Sequence, residues 1–482
     1  MAMFKRTKFF FGAVLAIALL LTGFAAHAQI FNVLHQFSAW DSSSRTNLDG
    51  AKPLGGLTQG RDGSFYGTTE DGGTNGTGTI FKITPGGGFV VVHTFGAFSS
   101  GTNADGAYPV AALTRGPDGT LYGTAGAGGS NGNYGVVFKL TTNDSFALLH
   151  TFAYSDGENP GAPLVFASDG NVYGTAALGG TGQNGTLFQI TTNGNFQTIY
   201  NLTTASAMTP EVYTNSDGSR PYGLTQGSDG NFYGTAQYGG TNGNGTVFQF
   251  TTNGSFNVLH TFSVQAISGQ NADGAAPQAT LTQAPDGGFY GTTPNGGTNA
   301  GGTIFRVTAG GGFSTVHSFD YFADGANSDA PLIFSRGGFY ATAGDADSGA
   351  GTILRVTTNG ISTVLYGFSQ PDTNSANADG AYPQTGLTLG SDGNLYGVTS
   401  SGGTNGTGVV FRLTFPTLSI SAAGNLAVLS WPTNQAGFSL QLTTNLTNPV
   451  WTNATPFPAT VGGQYVVTNS PPGRNTFYEL VK

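Results

Sequence analysis

Residues 53–95 read PLGGLTQGRDGSFYGTTEDGGTNGTGTIFKITPGGGFVVVHTF, and the chain as far as residue 414 is largely this stretch repeated. Its centre, Tyr-Gly-Thr, returns at Tyr66, Tyr122, Tyr173, Tyr233 and Tyr290, then as Tyr-Ala-Thr at Tyr340 and Tyr-Gly-Val at Tyr396. The steps between these tyrosines are 56, 51, 60, 57, 50 and 56 residues. A period of that length containing only strand-like segments predicts a propeller blade, because one small sheet cannot bury both faces without neighbours.

Within the unit, Asp62-Gly63 is a two-residue hairpin signal between residues 54–58 and 64–69. A glycine-rich loop, 70–78, precedes 79–84, which alternates apolar and polar residues at the strand period; a second glycine turn, 86–88, leads into 89–95. These four strands are called A, B, C and D in chain order. Strand D recurs from Phe89, Phe146, Phe196, Phe256, Phe313 and Ile361. A seventh copy, IFNVLHQF at 30–37, stands alone with no A, B or C before it, while the last unit, 383–414, has A, B and C but no D. Pairing the two remainders covers an otherwise bare edge and closes a ring.

The predicted fold is therefore all-β: a seven-bladed β-propeller over 29–415, closed by the N-terminal strand, then a small C-terminal β-sandwich over 416–482. The sandwich is expected from alternating stretches at 417–431, 438–444, 450–453, 464–468 and 476–481, with Trp431 and Trp451 as core anchors.

Residues 1–28 form a targeting segment: Lys5, Arg6 and Lys8, an apolar run over 9–24, and Ala26-His27-Ala28 as a small-x-small cleavage site. Cleavage near Ala28 and export to the periplasm, cell surface or exterior are expected. No later apolar run approaches the roughly 20 residues of a spanning helix, so no transmembrane anchor is expected. Without cysteine there is neither a disulfide nor a lipid-modified thiol. Losing three basic residues takes the formal charge from -9 to -12, which is unsuited to nucleic acid or anionic membranes.

The Tyr-Gly-Thr strand, the Gly-Gly-Thr-Asn-Gly loop at Gly72, Gly239 and Gly402, and the closing Leu-His-Thr-Phe together resemble the GloVer tandem repeat of secreted bacterial "choice-of-anchor" proteins, over residues 30–414. The resemblance implies an exported, propeller-like protein and brings no established activity with it. Members often end in a sorting or anchoring module; this sequence departs from those with a hydrophobic C-terminal anchor, and its last residues are expected to form a sandwich similar to C-terminal modules of other secreted proteins.

Chain direction places the short A-to-B and C-to-D turns on one side and the long B-to-C and D-to-A loops on the other, so function is expected on the loop-rich face or at the axis. His35, His93, His150, His260 and His317 share one strand D position, with Tyr200 and Tyr366 at the other two turns. Distributed in this way they suit a hydrogen-bonded structural role. His27 leaves with the targeting segment, so no histidine remains for a catalytic triad or a histidine-rich metal site.

Most aspartates sit in Asp-Gly turns, and glutamate is limited to Glu70, Glu158, Glu211 and Glu479. Carboxylates for glycan chemistry would come from Glu211 in the longest D-to-A loop, or from Asp345 and Asp347 in the irregular loop GDADSGAG. The D-to-A loops repeat Asn-x-Asp-Gly-Ala at Asn103 and Asp105, Asn271 and Asp273, and Asn377 and Asp379, with Asp49 in a shorter version. Hard oxygen ligands before a glycine suit Ca2+, the one cofactor considered, although the later bidentate Glu is missing and Asx turns use the same letters.

Asn75, Asn131, Asn242, Asn299 and Asn405 in the B-to-C loops are candidate binding residues; these loops lack the Lys-Ser/Thr of a phosphate loop. Lys82, Lys139, Gln189, Gln249, Arg306, Arg355 and Arg412 share a strand C position and are expected to form a solvated or inter-blade polar row. The expected function is a monomeric, non-enzymatic binding module for a glycan or a surface protein, with the sandwich for attachment or glycan contact. The alternative is a polysaccharide-active lyase or hydrolase built from the irregular loop carboxylates.

Overall fold

The computed structural model describes residues 30–41, 43–209, 212–346, 349–415, 418–423, 426–432, 439–444, 452–469 and 476–481. The chain divides into two compact units between Phe415 and Pro416. Among the described residues of the first unit are seven antiparallel sheets of four strands and no helix.

The first repeat shows the plan: A is Thr58–Gln59, B Phe65–Thr69, C Thr79–Ile83 and D Phe89–Thr94, in that order across the sheet. Strand A is shorter than the expected 54–58. Residues 54–57 leave the ladder because they press against neighbouring repeats: a Cβ on Gly55 would lie 2.6 Å from the Ala111 carbonyl oxygen, and one on Gly56 3.2 Å from that of Gly386. Thr58 Oγ1 then donates to the Leu113 carbonyl of the next repeat, and Thr388 Oγ1 does the same to Leu57.

Strand B is buried on both faces, and its Tyr-Gly-Thr has a packing reason. The glycine lies opposite a strand C phenylalanine, as Gly67 does Phe81; a Cβ at Gly67, Gly123, Gly174, Gly234, Gly291 or Gly397 would come within about 2.5 Å of that ring or of a neighbouring leucine. In the sixth repeat Ala341 lies opposite Leu354 instead. The larger residue on one strand is matched by a smaller one on the other, which keeps the volume.

Strand D bulges in every sheet. His93 faces Ile80 and Val91 faces Phe81, so Val92 is extra; the same shift recurs at Leu34, Leu149, Ile199, Leu259, Val316 and Leu365. A bulge re-aims the next side chain, here the histidine or tyrosine of the repeat.

The lone first strand, Ile30–Gln36, is the fourth strand of the last sheet and pairs with Val409–Thr414, Asn32 opposite Arg412 and Val33 opposite Phe411. Core clusters lie between successive sheets. One joins Phe65 and Phe81 of the first repeat to Tyr396 and Val410 of the last, with Phe37 between them.

Two features go beyond the expected plan. Asn103–Ala107 pairs with Ala127–Gly129, and Ser206–Thr209 forms a hairpin with Val212–Thr214 in the longest D-to-A loop.

In the second unit, Ser419–Ala423, Leu426–Pro432, Gln464–Asn469 and Ala459–Val461 make a four-stranded sheet, and Thr452–Asn453, Ser439–Thr443 and Phe477–Val481 a three-stranded one. The expected stretch 417–431 is thus two paired strands, and Ala459–Val461 was not expected. Leu429, Trp431, Leu440 and Val467 form the core. Trp451 lies outside the described residues.

Candidate functional site

The strand D histidines and the D-to-A aspartates, separate motifs in the sequence, form one device. His35 bonds Asp49, His93 Asp105, His150 Asp156, His260 Asp273 and His317 Asp324, with Nε2 to Oδ2 distances of 2.9, 3.0, 3.2, 2.9 and 2.7 Å. Where tyrosine replaces histidine, Tyr200 donates to Asp217 and Tyr366 to Asp379, both at 2.8 Å. Each aspartate also accepts a backbone N–H just past its strand D, as Asp105 does from Gly96 and Asp379 from Ser369.

The ring above stacks on the first aromatic of the next strand D. His35 lies on Phe89, His93 on Phe146, His150 on Phe196 and His260 on Phe313, with centroids 3.6 to 3.9 Å apart. Burial pushes the carboxyls of Asp49, Asp105, Asp273 and Asp324 up, but hydrogen bonds from the histidine and the loop outweigh it and hold each below its ordinary value.

The Asn-x-Asp pairs considered for Ca2+ are therefore engaged within the loop. Asn103 Nδ2 donates to the Gly96 and Gly106 carbonyls while its Oδ1 accepts from the Gly106 and Gly129 N–H groups. Asn271 and Asn377 repeat this geometry. Among the described residues no group of three or more His, Cys, Asp or Glu converges to hold a metal.

The loop asparagines brace the strand ends. Asn75 donates to the Phe95 carbonyl, Asn131 to Thr151, Asn242 to Phe262 and Asn405 to Phe37; Asn299 is exposed. The strand C row includes Lys82, which bridges Asp62 at 2.9 Å and Asp144 of the next repeat at 3.3 Å.

Chemical variety enters the loop-rich face at one repeated backbone position. Lys52, Tyr108, Asn159, Arg220, Ala276, Asn327 and Tyr382 all have φ between 52° and 58°, a left-handed conformation unusual outside glycine. Each N–H donates to a B-to-C loop carbonyl of the preceding repeat, from Tyr108 to Thr77 through to Tyr382 to Ala350, and Lys52 donates to Thr407 of the last repeat. The backbone is held the same way seven times while the side chain differs, and strain of this sort marks functional loops.

Lys52 stands in a cleft of about 530 Å³ between the first and last repeats, with Trp40, Glu70, Gln384, Ser400 and Asn405 in its wall. Lys52 Nζ lies 5.4 Å from the centre of the Trp40 ring, 2.7 Å from Asp71 and 4.0 Å from Glu70. Burial, and then the charge of Asp71, raises the Glu70 carboxyl above its ordinary value. The cleft offers an aromatic face, a cation, a carboxyl group and several neutral polar groups.

Leu54 and Gln384 also line a second cavity, of about 100 Å³, to which all seven repeats contribute. Asp329 is there. Burial, with the charge of Asp345 adding to it, pushes its carboxyl up to about 7. Asp345, expected as a catalytic candidate, accepts a hydrogen bond from Asn327 and is near enough for its charge to act on Asp329, but it does not line the cavity. The other two, Glu211 and Asp347, lie outside the described residues. Trp40, Lys52, Tyr222 and Asp329 were not expected from sequence; the available signal was their departure from the residues at the same position in the other repeats.

The fold defines an all-β, tandem-repeat, propeller-like protein. The chain belongs to the Gloeobacter/Verrucomicrobia repeat family, which matches residues 22–215 and 208–411. No curated protein sequence matches it. Among solved structures it is similar to a Lactobacillus plantarum protein (13% identity, 82% of this chain and 96% of that one, TM-score 0.44). It is also similar to an ulvan lyase bound to a GlcA-Rha3S saccharide (10%, 80% and 92%, TM-score 0.44) and to a Bacteroides thetaiotaomicron protein of unknown function (14%, 65% and 72%, TM-score 0.40). Among the described residues no helix is long and apolar enough to cross a membrane.

Proposed function

We propose that the chain is exported after cleavage near Ala28 and forms a closed seven-bladed β-propeller followed by a small β-sandwich. Its loop-rich face is a non-catalytic recognition surface for a neutral glycan, docked at the Trp40, Lys52 and Glu70 cleft. The observation carrying this reading is the set of seven left-handed positions, where a constant main chain presents Lys, Tyr, Asn, Arg, Ala, Asn and Tyr. Fixed geometry with varied side chains suits multipoint contact with an extended ligand. A half-buried aromatic platform flanked by polar groups suits a sugar ring, and the net negative charge disfavours polyanions.

Affinity electrophoresis against neutral and acidic polysaccharides, with product release followed in parallel, tests it. A neutral glycan retards the protein, Trp40→Ala abolishes the retardation, and no product forms. Release of oligosaccharide lost on Glu211→Gln or Asp345→Asn would establish the enzymatic alternative; retention unchanged in Trp40→Ala would refute the placement of the site.

A further inference from the structure

Asp329 breaks the pattern of the repeats. Counting back four residues from the strand A residue that faces each repeated tyrosine, the other repeats have Leu54, Val110, Gly161, Pro221, Gln278 and Gln384. The one acidic residue among seven lines the axial cavity, and its Oδ1 is shielded from solvent without a hydrogen-bond partner. Thr280 Oγ1 and Thr385 Oγ1, in the same wall, are likewise shielded and unpartnered. No Lys, Arg or His is among the described residues of the wall.

A shielded carboxylate with nothing opposite it is strongly disfavoured and is expected to take up a proton or a counter-ion. Two titratable groups lie near it. Tyr222 lines the cavity, with a hydroxyl pushed up to about 12 by burial and then by Asp329, and stays neutral; Asp345 adds a second negative charge nearby.

We propose that the axial cavity is a binding site for one small hard cation, with Asp329 as its single charged ligand and the oxygens of Thr280, Thr385, Tyr222 and Gln384 as neutral ones. Hard cations take oxygen ligands, and a low count of charged ligands gives the weak affinity typical of extracellular modules. A cavity of about 100 Å³ holds an ion with one or two waters, each needing about 30 Å³. The negative charge of Asp345 makes Ca2+ the expected occupant over Na+ or K+.

The test uses the full chain, stripped with chelator at pH 8 and titrated with Ca2+, Mg2+, Na+ or K+ by calorimetry and by thermal melting. Ca2+ is expected to bind once per chain and raise Tm by several degrees, with affinity at least tenfold weaker at pH 5.5, where a proton competes. Asp329→Asn removes this response, and Asp105→Asn, in a loop pair, keeps it. Thr280→Val, which deletes one neutral ligand, weakens binding several-fold and decides the matter if Asp329→Asn does not fold. The proposal is overturned if no cation binds, the cavity then holding water alone, or if Asp329→Asn or Thr280→Val titrates like the parent.

Discussion

The rings of Tyr366 and Phe31 are stacked with centroids 4.0 Å apart and planes 8° from parallel. Tyr366 belongs to the sixth repeat and Phe31 to the first strand of the chain, yet the contact matches His93 on Phe146 within consecutive repeats. The step into the last sheet is thus built like the steps between earlier ones. Phe31→Ala is expected to cost roughly 2–4 kcal/mol, read as a lowered denaturation midpoint, with the same loss for Phe146→Ala. A Phe31→Ala protein as stable as the parent would place this contact outside the cooperative fold.

The glycine beneath each strand C phenylalanine predicts an asymmetric pair of outcomes. Gly123→Ala pushes a methyl into the Phe138 ring and is expected to lower stability by about 1–3 kcal/mol through overpacking. Ala341→Gly combined with Leu354→Phe, which installs the common pair in the sixth repeat, is expected to be tolerated better than Leu354→Phe alone. Urea melts of the four proteins give the comparison.

Acid should loosen the seams between sheets. Asp49, Asp105, Asp273 and Asp324 have folded values below the ordinary 3.8. Their stabilisation is complete above that pH and is lost as pH falls through the lower folded values. Tm measured from pH 6 to pH 2 is expected to drop below about pH 4, less steeply in Asp105→Asn, which is itself less stable at pH 6.

Asp329 acts in the opposite direction. With its folded value raised from 3.8 to about 7, the protonated form is favoured by folding, so stability declines as pH rises from about 4 to about 7 and is flat above. In chelator at pH 8, Asp329→Asn is expected to melt higher than the parent, by at most about 4 kcal/mol, and to match it at pH 4. Equal melting at both pH values would show that the carboxylate is not shielded.

Much of the fold was legible because the turns repeat. Asp-Gly after six of the seven A strands (Gly337-Gly338 in the sixth repeat), glycine loops after the repeated Tyr-Gly-Thr, and the lone IFNVLHQF against a last unit lacking strand D together predicted the sheets and the pairing of the Asn32 strand with the Arg412 strand. The seams were less legible. The histidines were expected to be structural, but three of their partners, Asp49, Asp105 and Asp273, were read as Ca2+ ligands, and Asp156 and Asp324 were given no role. The separation is six residues for His150 and Asp156 and seventeen for Tyr200 and Asp217, and the bulge that joins them leaves no mark in a period-two pattern. The cleft and Asp329 were not legible because they are exceptions to the repeat. Asp329 stands at the Leu54 position, in the stretch before strand A where no ladder fixes an alignment by eye.

Closure of the ring by the first strand is tested most directly by a cross-link, and the absence of cysteine makes the background clean. Asn32 and Arg412 face each other in the antiparallel ladder, where Cα atoms lie about 4.5–5.5 Å apart, within disulfide reach. Asn32→Cys with Arg412→Cys is expected to form an intramolecular disulfide in the folded protein, seen as a mobility shift that reductant reverses, whereas Asn32→Cys with Leu413→Cys, one residue out of register, does not. Absence of the bond in the first pair, or equal bonding in both, would contradict the closed ring.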